Sequence, residues 1–260
     1  MLLVRLTVFA ALLLLAAPAA RAQSLAEGAQ AYKPFVVARA SAAVAAAKAL
    51  EDAAKAGDVK AAQAAWIRSR EGWEAIEPIT SEFFAKFDAA IDAWPDATQG
   101  YHAIEAPLFA GKRDGLGLKA EKLAADLASF AKAVGAPRFR FAPQGLLNGA
   151  AKLAYEVGEN KSKGGESPFA ATSHRDLQAN AEGLETLYVR VFDPVLGKRD
   201  AELASLIREK LAQLKRLVAV DDLKSLDQPA LHRTGEELAV LLQTAAPKLK
   251  LKKPAIGEAR

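Results

Sequence analysis

From Leu25 to Ala56 the chain reads as one long amphipathic helix, with Val36, Val37, Val44 and Leu50 on a shared apolar stripe. The same 3.6-residue periodicity governs almost every later segment, and strand-like alternation is nearly absent. A helix with one apolar stripe has to bury it against other helices, so the pattern predicts an all-α fold. Gly57-Asp58 marks the first turn, and Asp58 is placed to cap a second helix that runs to Ile76 or Glu77. Pro34 is expected to break the first helix near its start, and Pro78 to end or kink the second.

A short helix bearing Phe83, Phe84, Phe87 and Ile91 follows, then a break at Trp94-Pro95-Asp96. Asp96 or Thr98 is expected to cap the next helix, which Pro107 should kink or end early. Further helices are expected over Leu118–Val134, Gln144–Val157, Ser173–Val191 and Asp200–Leu217, with a last one from Thr234 to about Pro247. Ser173 with Asp176, and Thr234 with Glu237, have the spacing of capping boxes. Ala136–Pro143 reads as an irregular linker, and Lys161–Pro168 as a flexible loop. About four helical elements lie on either side of the linker. The expectation is two packed four-helix bundles, 23–136 and 137–260, a pattern suggesting a divergent duplication.

Residues 1–22 are set apart from the fold. Arg5, the apolar run Val8–Ala17 and the small-residue step Ala20-Arg21-Ala22 form a cleavable signal peptide, with Gln23 as the expected first mature residue. The run is too short for a comfortable membrane span, and no cysteine follows it to carry a lipid. The expectation is an exported, periplasmic protein without a membrane anchor. Loss of Arg5 and Arg21 takes Lys+Arg from 35 to 33 against 31 acids, too even a balance for a nucleic-acid partner. Without cysteine there are no disulfides, and any metal is left to oxygen and nitrogen donors.

The donors are conspicuous in one stretch. Gly100-Tyr-His-Ala-Ile-Glu105 places His102 and Glu105 at i, i+3, one above the other on a helix, where an imidazole and a carboxylate can converge. The chain has only three histidines. Upstream, Glu71, Glu74 and Glu77 recur every three residues, and Asp88 and Asp92 follow at i, i+4. Any one of these acids alone would be read as solvated helix surface. Together, Glu74, Glu77, His102 and Glu105 read as a metal site of the kind that helical bundles build from inward-facing carboxylates and an HxxE pair.

These motifs resemble those of imelysin-like and EfeO-type iron-uptake proteins. Gly100-Tyr-His-Ala-Ile-Glu105 resembles their GxHxxE signature, and Glu71-Gly-Trp-Glu-Ala-Ile-Glu-Pro-Ile79 is similar to the acidic Glu-Pro stretch that closes their second helix. Ser173-His-Arg-Asp-Leu-Gln-Ala-Asn180 is similar to their second-half motif. The resemblance implies two four-helix bundles with a metal site in the first. Its ligands would be Glu74, Glu77, Asp92, His102 and Glu105, binding a divalent or trivalent cation, with iron favoured over zinc or copper. It also implies a membrane iron permease as partner, or, as in some relatives, an acidic polysaccharide. The chain departs from the pattern at Trp94-Pro95, where an arginine usually follows, at Pro107, and in having no room for the cupredoxin-like domain of longer relatives. The group has been classed with metallopeptidases, but HExxH is missing, so a binding protein is expected rather than an enzyme.

His174 and His232 are read as structural or surface residues, and Trp66, Trp73 and Trp94 as core aromatics flanking the acids. Tyr101 is expected in the core or behind His102. For Asp176 and Asn180, at i, i+4, an inter-bundle contact and a cleft lining remain alternatives.

Overall fold

The computed structural model describes residues 23–94, 97–159, 161–163 and 165–256. The signal peptide expected at 1–22 and the cap expected at Asp96 lie outside the described residues. The fold is all-α, with no strand among the described residues. Its helices are α1 (Leu25–Ala56), α2 (Val59–Glu74), α3 (Glu77–Ile91), α4 (Gly100–Phe109), α5 (Leu116–Gly135), α6 (Pro143–Glu159), α7 (Ser173–Leu187), α8 (Asp193–Arg199), α9 (Ala201–Val218) and α10 (Gln228–Lys248). No helix among the described residues is long and apolar enough to cross a membrane.

α1 has the bounds its periodicity predicts. Ser24 and Glu27 close a capping box at its start, and Gly57 ends it in the left-handed region. Asp58 caps α2 through the Ala61 amide, as expected. Pro34 does not break α1 as predicted, whereas α2 does end before Pro78 and α4 ends two residues after Pro107. Pro34 and Pro107 stay inside α1 and α4, and Pro78 occupies the first turn of α3, where its missing N–H costs nothing. The predicted caps of the later helices are not made. α10 begins at Gln228, six residues earlier than expected, capped by Asp227, and the Thr234 hydroxyl bonds back to the Ala230 carbonyl. Ser173 opens α7, but its hydroxyl accepts from the Ser167 amide. A wider turn over Tyr188–Phe192 joins α7 to α8.

α1 packs against α2 and α5, and α4 against α5, while α10 packs on α6 and α9, and α7 on α9. The two groups meet where α3 lies on α6 and α2 on α7. A side chain on Gly183 of α7 would collide with the carbonyl of Ala75, so this glycine lets α7 reach the α2–α3 corner backbone to backbone. The segment read as a linker is anchored by aromatics. Phe139 and Phe141 meet Phe83 edge-on, and Phe139 also packs on Phe84, at ring-centroid distances of 5.0–6.2 Å.

Candidate metal centre

The α2–α3 corner, the α3–α4 loop and the start of α7 converge on one buried group of charges. Arg70 and Glu74 lie one turn apart on α2, both fully buried, and pair at 2.8 Å. The Arg70 guanidinium also reaches Asp92 at 2.5 Å, Glu166 at 2.8 Å and Asp176 at 3.2 Å. Its faces lie over the rings of Trp66 and Tyr101, and the Tyr101 hydroxyl is held by Ser69. Tyr101 is thus core support for the arginine. Lys161 supplies a second buried cation, 2.9 Å from Glu77, 3.2 Å from Glu166 and 3.3 Å from Glu74. Asn180 donates to the carboxylates of both Glu74 and Glu77.

His102 and Glu105 stand at the other end of this network. Gly100 begins α4 with φ +77°, and a side chain there would collide with the Ile91 carbonyl, so the glycine of the GxHxxE pattern brings the start of α4 against the end of α3. That contact sets His102 Nε2 3.2 Å from Asp92 Oδ1. On its other side His102 Nδ1 faces Glu105 Oε2 at 3.7 Å, and both atoms are buried without a hydrogen-bond partner. Glu105 is fixed through Oε1, which accepts from the amides of Phe169 and Ala170. Asp92 Oδ2 accepts from the Trp73 indole, and Trp94 lies edge-on to His102 at 4.8 Å.

The electrostatics follow from many carboxyls sharing few cations. Burial disfavours the Asp92 and Glu74 carboxylates, but neighbouring cations outweigh it: Arg70 and His102 for Asp92, Arg70 and Lys161 for Glu74. Both stay below the usual range. Burial pushes Glu77 well above that range, although Lys161 opposes it. Burial likewise raises Asp176 to about 7 against the pull of Arg70. Burial works against the His102 imidazolium, yet Asp92 and Glu105 beside it raise its pKa to about 9.

A cleft of about 650 Å³ opens onto this group. Glu77, Asp92, His102, Lys161 and Glu166 line it, with Asp88, Lys152 and Glu156 further along the wall. The five residues predicted as ligands are therefore gathered, though in different ways. Glu77, Asp92 and His102 face the cleft, Glu74 is sealed beneath them by Arg70, and Glu105 sits behind the imidazole. Glu71 instead pairs with Arg175 near the surface. Sequence reasoning missed Arg70, Lys161 and Glu166, the last two because their loop reads as flexible by composition. Asp176 and Asn180 belong to the site, on the network's α7 side.

The chain is thus an all-α protein with a buried cluster of carboxylates and an imidazole, balanced by cations of its own. The chain belongs to the imelysin family, which it matches over residues 28–99 and 96–250. Among curated proteins it is similar to the iron uptake system component EfeO of Escherichia coli K12, at 33% identity over 199 residues, covering 73% of this chain and 52% of that protein. The protein of the same name from Shigella flexneri matches equally, and that of Escherichia coli O1:K1 at 32%. The chain thus spans about half the length of the curated relatives it matches.

Proposed function

We propose that this protein captures a transition-metal cation, iron foremost, in the cleft, and serves iron acquisition outside the cytoplasm. The observation that carries the proposal is the His102–Asp92 contact at 3.2 Å on the cleft wall, with the Glu105 carboxylate behind the ring. A carboxylate at one imidazole nitrogen fixes the tautomer and turns the other nitrogen toward a metal. The Nε2 proton faces Asp92; a metal entering the cleft would take its place at Nε2, leaving Nδ1–H toward Glu105.

In this reading His102, Asp92 and Glu77 hold the cation, Glu74 adds negative charge beneath them, and Glu105 orients the ring. The nitrogen donor supplies preference over Ca²⁺ and Mg²⁺, which favour all-oxygen shells. Lys161 stands where a cation is wanted, among Glu74, Glu77 and Glu166. Entry of a metal would displace this tethered ammonium toward the solvent end of the cleft, so capture is an exchange of one cation for another. The relatives are named as components of an iron uptake system, which supports iron as cargo; in this reading the onward partner is a membrane permease. An acidic polysaccharide is disfavoured by the lining itself: Glu77, Asp88, Asp92, Glu156 and Glu166 outnumber Lys152, Lys161 and Lys163.

Elemental analysis of protein purified without chelator tests the proposal. A near-stoichiometric transition metal is expected. Metal-free protein that takes up neither Fe²⁺, Zn²⁺ nor Cu²⁺ in calorimetry would contradict it.

A further inference from the structure

Among the described residues, one group of three His, Asp or Glu side chains has ligand atoms all within 4.8 Å of one another, and it lies outside the cluster described above. It consists of Glu159, His232 and Glu236. Two observations show that this trio is held in place. First, the His232 ring is oriented: Nδ1 lies 3.0 Å from the Gly158 carbonyl, which can only accept, so Nδ1 carries the proton and Nε2 keeps its lone pair. Nε2 faces Glu236 Oε2 at 3.5 Å, one helical turn along α10.

Second, the backbones beneath the trio are in direct contact. A side chain on Gly235 would come within 2.6 Å of the Ala154 carbonyl and the Gly158 amide, and one on Gly158 within 2.8 Å of the His232 carbonyl. Each glycine immediately precedes one of the carboxylates. The α6–α10 crossing therefore brings the backbones that carry Glu159 and Glu236 together, with one carboxylate at each nitrogen of the imidazole.

We infer that Glu159, His232 and Glu236 form a second site, for a borderline divalent cation such as Zn²⁺ or Cu²⁺, at the rim of the cleft. Two donors bound about 2.1 Å from one metal stand up to about 4 Å apart, so the 3.5 Å pair already spans a metal. The third donor, Glu159 Oε1, lies nearest the ring at Nδ1, 3.6 Å away, and has to swing toward Nε2 to join the pair. Two carboxylates balance a divalent charge, and the neutral imidazole selects against Ca²⁺ and Mg²⁺. The competing contacts are weak: Lys163 reaches Glu159 at 3.7 Å from an exposed position. Its place at the rim follows from the chain. Glu156, three residues before Glu159 on α6, lines the cleft, as does Lys163. The half-exposed trio leaves coordination positions to water, which suits a site that loads and releases its ion readily.

Calorimetric titration with Zn²⁺ of the wild type, His232→Ala, His102→Ala and the double variant tests this. The wild type should show two binding events. His232→Ala should weaken the looser one at least tenfold and leave the other, His102→Ala the reverse, and the double variant should show neither. Glu236→Gln should weaken the looser event in the same direction, with an unchanged melting temperature. Wild-type stoichiometry and affinities in His232→Ala would overturn the inference. If His102→Ala changes nothing while His232→Ala removes a single event, the rim site stands and the cleft reading fails.

Discussion

The two ends of the buried cluster hold similar carboxylates in opposite ways. At one end Glu74, Glu77 and Glu166 are gathered on Lys161, and Asn180 donates to Glu74 and Glu77. At the other end His102 and Glu105 face each other across 3.7 Å, with neither atom hydrogen-bonded. Arg70 lies between them and touches both sides through Glu74, Glu166 and Asp92. At the first end the chain supplies its own cation, although Asn180 Oδ1 is buried there without a hydrogen-bond partner. The second is incomplete, and a buried polar atom without a partner costs about 1–3 kcal/mol. The comparison teaches that similar acids in one cluster are held differently: those around Lys161 carry a cation of the chain, while Glu105 keeps one oxygen unpaired beside the imidazole.

Removing the shared arginine should have the largest effect, since it breaks the apo balance of both ends. Arg70→Met removes the cation shared by four carboxyl groups, leaving Asp176 with none, and should cost about 3–5 kcal/mol of stability, read by denaturant unfolding. A cost under about 1 kcal/mol would mean that the network is not what holds the α2, α3 and α7 elements together. Lys161→Met separates the ends. It should lower the metal-free melting point by less than Arg70→Met does, because Glu77, already pushed upward, can take a proton. It should also enlarge the melting-point rise caused by Zn²⁺, since the competing ammonium is gone. An unchanged rise would show that Lys161 and the cation do not share a place.

pH addresses the other end. With His102 raised to about 9, a metal has to displace its proton, so affinity should climb about fiftyfold from pH 7 to 9 and then level off. Metal-free stability runs the opposite way. The folded pKa exceeds the unfolded value of 6.5, so the His102 contribution is fully present below 6.5 and lost as pH rises through 9. Affinity flat across this range would place the imidazole outside the site. The smallest effect is expected from Glu77→Gln, which keeps shape and removes one clustered charge. Melts should show unchanged or slightly higher metal-free stability and a several-fold weaker metal response. A lower metal-free melting point with the full metal response would make Glu77 structural.

Much of this architecture could be read from residues alone where the signals are local. The bounds of α1 followed from an apolar stripe, a left-handed glycine and a capping aspartate, all contained within the helix and its turn. The start of α10 did not, because Asp227-Gln228-Pro229 is an equally good local signal and Thr234 spends its hydroxyl inside the helix. In the site, His102, Glu105 and the acids of α2 and α3 were visible through helical spacing. Lys161 and Glu166 were not, since a Lys- and Gly-rich loop looks solvated until tertiary packing buries it against partners about 90 residues away. The Glu159–His232–Glu236 trio escaped for the same reason: its members come from two helices that meet only in the folded chain.

The central claim is that His102 is the nitrogen donor of a cation site in the cleft. Calorimetric titration of wild type and His102→Ala with Fe²⁺, Zn²⁺ and Cu²⁺ tests it most directly, with helical content checked by circular dichroism. The account predicts that the variant keeps its helical fold and binds at the cleft at least tenfold more weakly. Equal affinity of the two proteins for all three cations would contradict it.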